Sequence, residues 1–207
     1  MTQMSPAVLA EQITSAIGIG GAEASGLFPT LLKLLIQGTA VPPAELAQAL
    51  GWPISEVRAA LDDRANLELD GQGNIVGLGL TLRKTEHAFE VDGRTLYAWC
   101  ALDTLLFPAL IGRVARISSS CAATGAPVRL LVTPEGVENV DPPGAVVSLV
   151  VPKASPDVRG VFCCLVKFFA SADAAKDWLA LHPGTQVLPV TEAYQVGKEI
   201  VRRQWSL

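Results

Sequence analysis

The chain has 207 residues and 21.8 kDa; half of them are hydrophobic and only 17% charged, which excludes a disordered chain and is enough for a sizeable core. Mean hydropathy is high at +0.37, yet the most apolar run, Leu105 to Ile111, contains Pro108 and is far shorter than the roughly 18–20 residues that span a bilayer. A net charge of −4 argues against a polyanion partner, and Met1-Thr2-Gln3-Met4-Ser5-Pro6 lacks the basic region of a signal peptide, so the expectation is a soluble cytoplasmic protein.

The first third reads as helical. Apolar residues recur at helical spacing from Ala7 to Ile17, with Gly18, Gly20 and Gly21 as the stop, and again from Leu27 to Gln37, with Gly38 as the stop. Pro42 and Pro43 suit the first turn of a helix over Pro43 to Leu50. Gly51-Trp52-Pro53 is a turn, and Ser55 caps a further helix, Glu56 to Leu61. Two short helices on a tight turn predict a helix-turn-helix. Leu67 to Asp70, a Gly71-Gln72-Gly73-Asn74 turn and Ile75 to Leu82 add a hairpin, or wing. Residues 1–82 therefore read as a winged-helix-like domain.

Residues 83–207 read as a catalytic α+β domain, a mixed or antiparallel sheet with flanking helices. Ala88 to Val91, an Asp92-Gly93 turn and Thr95 to Tyr97 lead into a helix over Trp99 to Leu106, stopped near Pro108. Strands are predicted at Ala115 to Ser118, Val128 to Thr133, Val137 to Val140, Ala145 to Val151 and Val161 to Phe169. Ser171 caps a helix from Ala172 to Leu181, and Thr191 caps the last, Glu192 to Gln204.

Winged helices often bind DNA, but charge opposes that here. Residues 1–66 carry Lys33, Arg58 and Arg64 against Glu11, Glu23, Glu45, Glu56, Asp62 and Asp63, a balance of −3. DNA binding needs clustered cations on phosphates, and Ser55 to Leu61 offers one arginine to read base edges. The domain is expected to pack and act as a lid, with no nucleic-acid and no membrane partner.

The four cysteines are Cys100, Cys121, Cys163 and Cys164, and with no secretion signal they read as free thiols. Their spacing fits no zinc template, and His87 and His182 are remote in sequence. On a helix, positions i and i+3 share a face, so Asp103 lies beside Cys100. A carboxyl there takes a thiol proton as thiolate forms and returns it to a leaving group. The apolar neighbours Trp99, Leu102, Leu105 and Phe107 raise its pKa toward that role. Cys163 and Cys164 are adjacent in a predicted strand, so only one of them can face Cys100 unless the strand bulges, and spacing does not say which. Thiolates without a histidine favour a soft ion. Taken singly, each cysteine is also compatible with a buried space-filling role, and Asp103 with a solvated helix carboxylate.

At these residues the sequence resembles the organomercurial lyases (alkylmercury lyases) of bacterial mercury resistance. The resemblance runs through Gly73-Asn74-Ile75 and Gly79-Leu80-Thr81-Leu82-Arg83. It continues in Leu96-Tyr97-Ala98-Trp99-Cys100-Ala101-Leu102-Asp103-Thr104-Leu105 and Phe107-Pro108-Ala109-Leu110-Ile111-Gly112-Arg113. Further on it covers Cys121-Ala122-Ala123-Thr124-Gly125-Ala126-Pro127, Val147-Ser148-Leu149, Asp157-Val158-Arg159, Phe162-Cys163-Cys164 and Phe168-Phe169-Ala170-Ser171. It spans nearly the whole chain, the first 25 or so residues being least distinctive.

The resemblance implies a winged-helix-like part followed by a mixed sheet domain. It implies a catalytic trio of Cys100, Asp103 and Cys163, which also hold mercury as substrate and product, and a mainly structural Cys121. No resident cofactor is implied. The partners implied are low-molecular-weight thiols for turnover and a mercuric reductase as acceptor of Hg(II). The rival is a non-enzymatic thiolate carrier of a soft metal ion; Asp103 beside Cys100 speaks against it, because a carrier gains little from a carboxyl. Dithiol redox chemistry would want a CxxC motif, which is absent.

Overall fold

The computed structural model describes residues 4–17, 26–62, 64–153 and 155–205. Helices α1 (Pro6–Ile17), α2 (Leu27–Leu35), α3 (Pro43–Leu50) and α4 (Ile54–Asp62) open the chain. Gly18, Gly20 and Gly21, expected to end α1, lie outside the described residues. α2 shows why these segments fold: Leu27, Leu31, Leu32 and Leu35 fall on one face, and all are buried. Pro43 occupies the first turn of α3, where its missing N–H costs nothing.

Eight strands follow in one antiparallel sheet: β1 (Glu68–Leu69), β2 (Ile75–Leu78), β3 (Leu80–Thr81), β4 (His87–Val91), β5 (Arg94–Ala98), β6 (Ala115–Ser120), β7 (Pro127–Val132) and β8 (Val137–Asp141). Their order is β1-β2-β3-β5-β4-β6-β7-β8, so the wing strands are hydrogen-bonded directly into the rest of the sheet. Helix α5 (Ala101–Ile111) leaves the sheet after β5. A second, three-stranded sheet orders β10 (Phe168–Phe169), β9 (Val146–Val150) and β11 (Thr185–Pro189). Short helices α6 (Val158–Val161) and α7 (Lys176–Leu181) and the long α8 (Val190–Trp205) complete the chain. α8 packs along both α1 and α5; at Gly197 an added Cβ would come within 3.1 Å of the Leu106 Cβ, so the absence of a side chain sets how closely α8 and α5 approach.

Several elements depart from the expectation; the helix expected over Ala172 to Leu181, for one, begins only at Lys176. The strand expected over Ile75 to Leu82 is two strands folded back at Gly79, whose φ of +76° is open to glycine and strained for other residues. The helix expected to stop near Pro108 runs on to Ile111. Its faces are buried nearly all round, and packing outweighs the roughly 3 kcal/mol that an interior proline costs. The strand expected over Val161 to Phe169 is instead the end of α6, a 3₁₀ turn at Cys163–Leu165 and the two-residue β10. Its β-favouring composition is overridden because hydrogen bonds from the 3₁₀ turn and the neighbouring Ser148 claim this backbone.

Gly79 also holds the approach to Cys100, because its carbonyl accepts the Trp99 N–H at 2.9 Å. A Cβ at Gly79 would lie 2.8 Å from the Phe107 Cζ. Gly79→Ala is therefore expected to destabilise the fold by about 1–3 kcal/mol, strain and displaced ring together, read as a lowered midpoint in urea.

Candidate active site

The site is built where β5 hands over to α5. Cys100 is the residue before the first helical turn, extended at φ −144° and ψ 169°. Asp103 is in that turn and accepts the Cys100 N–H on Oδ2 at 3.1 Å, while the Cys100 side chain accepts the backbone N–H of Asp103. This reciprocal cap satisfies two N–H groups that a helix start otherwise leaves open. The i, i+3 proximity expected from the sequence holds, but as a cap and not as two neighbours on a helix face.

Cys163 comes from the other side. Its 3₁₀ turn is anchored by the buried Ser148, whose Oγ donates to the Leu165 carbonyl at 2.7 Å and accepts the Lys167 N–H at 2.9 Å. The Ala101 N–H at the start of α5 donates to the Val166 carbonyl at 3.1 Å, tying the turn to the helix. As a result the Cys100 and Cys163 sulfurs and a carboxylate oxygen of Asp103 lie within 4.8 Å of one another, the one such group of potential ligands among the described residues.

Cys100 and Cys163 are both buried. Burial pushes the Cys100 thiol well above its usual range, and the adjacent Cys163 and Asp103 add to the rise. Burial also pushes the Asp103 carboxyl up to about 7, against the opposing hydrogen bonds from Cys100 and the charge of Arg159. The raised Cys100 thiol, the neighbouring Cys163 sulfur and a carboxyl that titrates near neutrality form a proton-transfer set: a thiophilic ion displaces thiol protons, and Asp103 is poised to hold one. A cavity of about 270 Å³ reaches Asp103 and Cys163 past Trp99, Gly79, Phe28 and Arg64. A narrower apolar recess of about 50 Å³ touches the same two residues between Phe28, Leu102, Phe107 and Trp205.

Comparison with known proteins decides the family. A model described as alkylmercury lyase matches residues 80–202, and one described as the helix-turn-helix domain of alkylmercury lyase matches residues 8–79. The chain belongs to the alkylmercury lyase family. It is 48% identical to the alkylmercury lyase of Pseudomonas putida over 97% of this chain and 95% of that one. Against the alkylmercury lyase of Streptomyces lividans it is 50% identical over 93% of this chain and 90% of that one. A crystal structure of the mercury-bound form of MerB2 superposes with a TM-score of 0.75 at 25% identity, covering 96% of this chain and 98% of the other.

Within this alkylmercury lyase fold the other two cysteines stand apart. Cys164 is exposed, with its Sγ 2.7 Å from the Gly160 carbonyl, so the vicinal pair does divide, through a turn and not through strand alternation. Cys164→Ser is expected to keep cleavage within about twofold of wild type, since a hydroxyl also donates to that carbonyl; the check is hydrocarbon release under identical thiol. Cys121 begins the Cys121–Gly125 turn, buried, outside the cluster. Burial raises its thiol, but hydrogen bonds from Thr124 and from the backbone of Ala170, Thr124 and Ala123 outweigh that and lower it overall. His87 is buried on β4, its Nδ1 2.8 Å from the Ser119 Oγ, and burial lowers it to about 4.

Sequence patterns did not single out Ser148, Glu68 or Arg159. Only Ser148 carries a usable signal, a polar residue inside an otherwise apolar strand pattern, whereas the alternation Leu67-Glu68-Leu69-Asp70 reads Glu68 as facing solvent and the structure buries it; their partners are distant in sequence.

Proposed function

We propose that Cys100, Cys163 and Asp103 perform the protonolysis of the carbon–mercury bond of alkyl- and arylmercury compounds, yielding a hydrocarbon and Hg(II). The clustering of the two sulfurs and the carboxylate within 4.8 Å carries this reading. The family membership supplies the substrate class.

In the proposed sequence Cys100 displaces the small thiolate bound to R–Hg⁺, its own proton leaving with that thiol. Cys163 then adds to mercury as its proton passes to the Asp103 carboxylate. The second sulfur raises electron density at the metal and weakens the carbon–mercury bond. Asp103 returns the proton to carbon as that bond breaks, and R–H departs. Hg(II) stays on the two sulfurs until two external thiols exchange onto it and return protons to Cys100 and Cys163. The balance is one R–H formed, two Cys–S–Hg bonds made, and one proton carried by Asp103 in and out. No resident cofactor is needed. Thiols kept reduced for this purpose suit the cytoplasm, and a mercuric reductase is the natural consumer of Hg(II). Among the described residues no helix is long and apolar enough to cross a membrane.

Ile17 of α1 and Phe28 of α2 line the cavities beside Asp103 and Cys163, and we assign the opening helices a lid role and not a DNA-reading one, in keeping with their negative balance. The test is incubation with methylmercury or phenylmercury and excess thiol. Methane or benzene with an equivalent of Hg(II) supports the lyase; stoichiometric retention without hydrocarbon would identify a carrier.

A further inference from the structure

Glu68 is a buried carboxylate that the chemistry above does not use, 7% exposed on β1. Both of its oxygens are engaged. Oε2 accepts from the Thr81 Oγ1 at 2.5 Å; Oε1 accepts from the Trp99 Nε1 at 3.1 Å and pairs with the Arg159 guanidinium. That guanidinium sits 5.0 Å above the Trp99 ring. A second grip lies two residues earlier: the Arg159 backbone N–H donates to the Asn66 Oδ1 at 3.2 Å, and the Asn66 Nδ2 donates to the Asp157 Oδ1 at 2.9 Å. Asp157 in turn caps α6 by accepting the Gly160 N–H at 2.9 Å. Arg159 lies within α6, which leads directly into the turn bearing Cys163, and Trp99 immediately precedes Cys100.

The wing therefore holds both halves of the dithiol from one buried charge. A carboxylate withdrawn from water this far is costly unless paired, and here its pairing partners are the two segments that carry the reacting sulfurs. We propose that Glu68 is a positioning residue for the lyase reaction, holding the Cys163 segment opposite Cys100 through Arg159, with Asn66 as its second point of attachment. This rests on Cys163 being the second thiol.

The physical consequence is specific to one step. Capture of R–Hg⁺ needs Cys100 alone, and Cys100 is set by the α5 cap. Addition of the second sulfur needs Cys163 in register, and a misplacement of about 1 Å can cost on the order of a hundredfold in rate. Loosening the clasp therefore acts on kcat and leaves capture intact.

The experiment compares Glu68→Gln, Arg159→Gln and the double variant, with Cys163→Ala in parallel, on methylmercury with excess thiol. Glu68→Gln keeps the shape and removes the charge, so the bond to Arg159 weakens without a cavity. The expected result is a fall in kcat of about tenfold or more for each single variant, KM within about twofold, and a double variant no slower than the slower single one. Wild-type kcat in folded Glu68→Gln and Arg159→Gln, a loss carried by KM, or losses that multiply in the double variant would each overturn the proposal. If Glu68→Gln does not fold, Arg159→Gln and Asn66→Ala carry the test with the same expected fall in kcat, since Arg159 is 45% exposed and Asn66 only partly buried. Full cleavage by Cys163→Ala would instead sink the underlying role of Cys163, and so separates the two failures.

Discussion

Cys163→Ala is expected to release no measurable methane from methylmercury while still capturing one equivalent of the organomercurial on Cys100. Fixing two sulfurs and an acid around one metal atom replaces a multi-body encounter, an advantage that reaches roughly 7–11 kcal/mol in well-oriented systems. Groups that act as a unit lose nearly all of it when one is removed, so a drop of at least about a thousandfold is expected. Cys100→Ala should lose both capture and cleavage. The two are separated by counting retained mercury after gel filtration and hydrocarbon in the headspace. Both variants should stay folded: the bonds from Ser148 and Ala101 that anchor the Cys163 turn end on backbone atoms that alanine leaves in place, and Cys100→Ala removes only the side-chain half of the α5 cap, a loss of about 1 kcal/mol. Substantial methane from either variant would refute the dithiol mechanism.

Asp103→Asn is expected to capture organomercurial and cleave it about a hundred- to ten-thousandfold more slowly, the usual worth of a positioned acid–base group. The asparagine Oδ1 can still accept the Cys100 N–H, so the cap survives and the change isolates proton transfer. The pH dependence follows from burial having pushed this carboxyl up to about 7. The proposed role needs the carboxylate first, to take the Cys163 proton. Wild-type kcat/KM should therefore rise as pH passes up through about 7, and the variant should lack that limb. Stability runs the other way. A raised carboxyl pKa means that the folded state binds more protons than the unfolded one, so wild-type stability falls as pH climbs from the unbound carboxylate range to about 7. Asp103→Asn should therefore gain melting temperature relative to wild type with rising pH over that window and hold a constant advantage above it. An advantage that shrank with rising pH would mean the carboxylate is stabilised in the fold.

Local pattern was legible wherever one face of one element decided the structure. The leucines of α2, the proline opening α3, the alternation in β4 and β6, and the amphipathic α8 each declare themselves, because burial of a single face repeats at the period of the backbone. Expectation failed where distant partners took over. Gly79 is one glycine among several until Phe107 is seen against it. Phe162 to Phe169 has a strand's composition, but Ser148 and the start of α5 claim its carbonyls for a turn. β11 went unpredicted between Pro183 and Thr191; it forms by pairing with β9, at the edge of the smaller sheet.

The candidate site divides along the same line. Asp103 beside Cys100 was present in the sequence itself, because three residues at a helix start bring side chain and backbone together whatever the rest of the chain does. Likewise the sequence held the thiol inventory, the acidic balance of the first 66 residues and, through its resemblance, the substrate class and the choice of Cys163 over Cys164. The meeting of Cys163 with Cys100 across 63 positions, the carboxyl titrating near 7, and the clasp of Glu68 on Arg159 came only with the tertiary structure. Sequence spacing constrains what a few residues of backbone can reach; long-range proximity, desolvation and the pairing of a buried charge are properties of the packed whole.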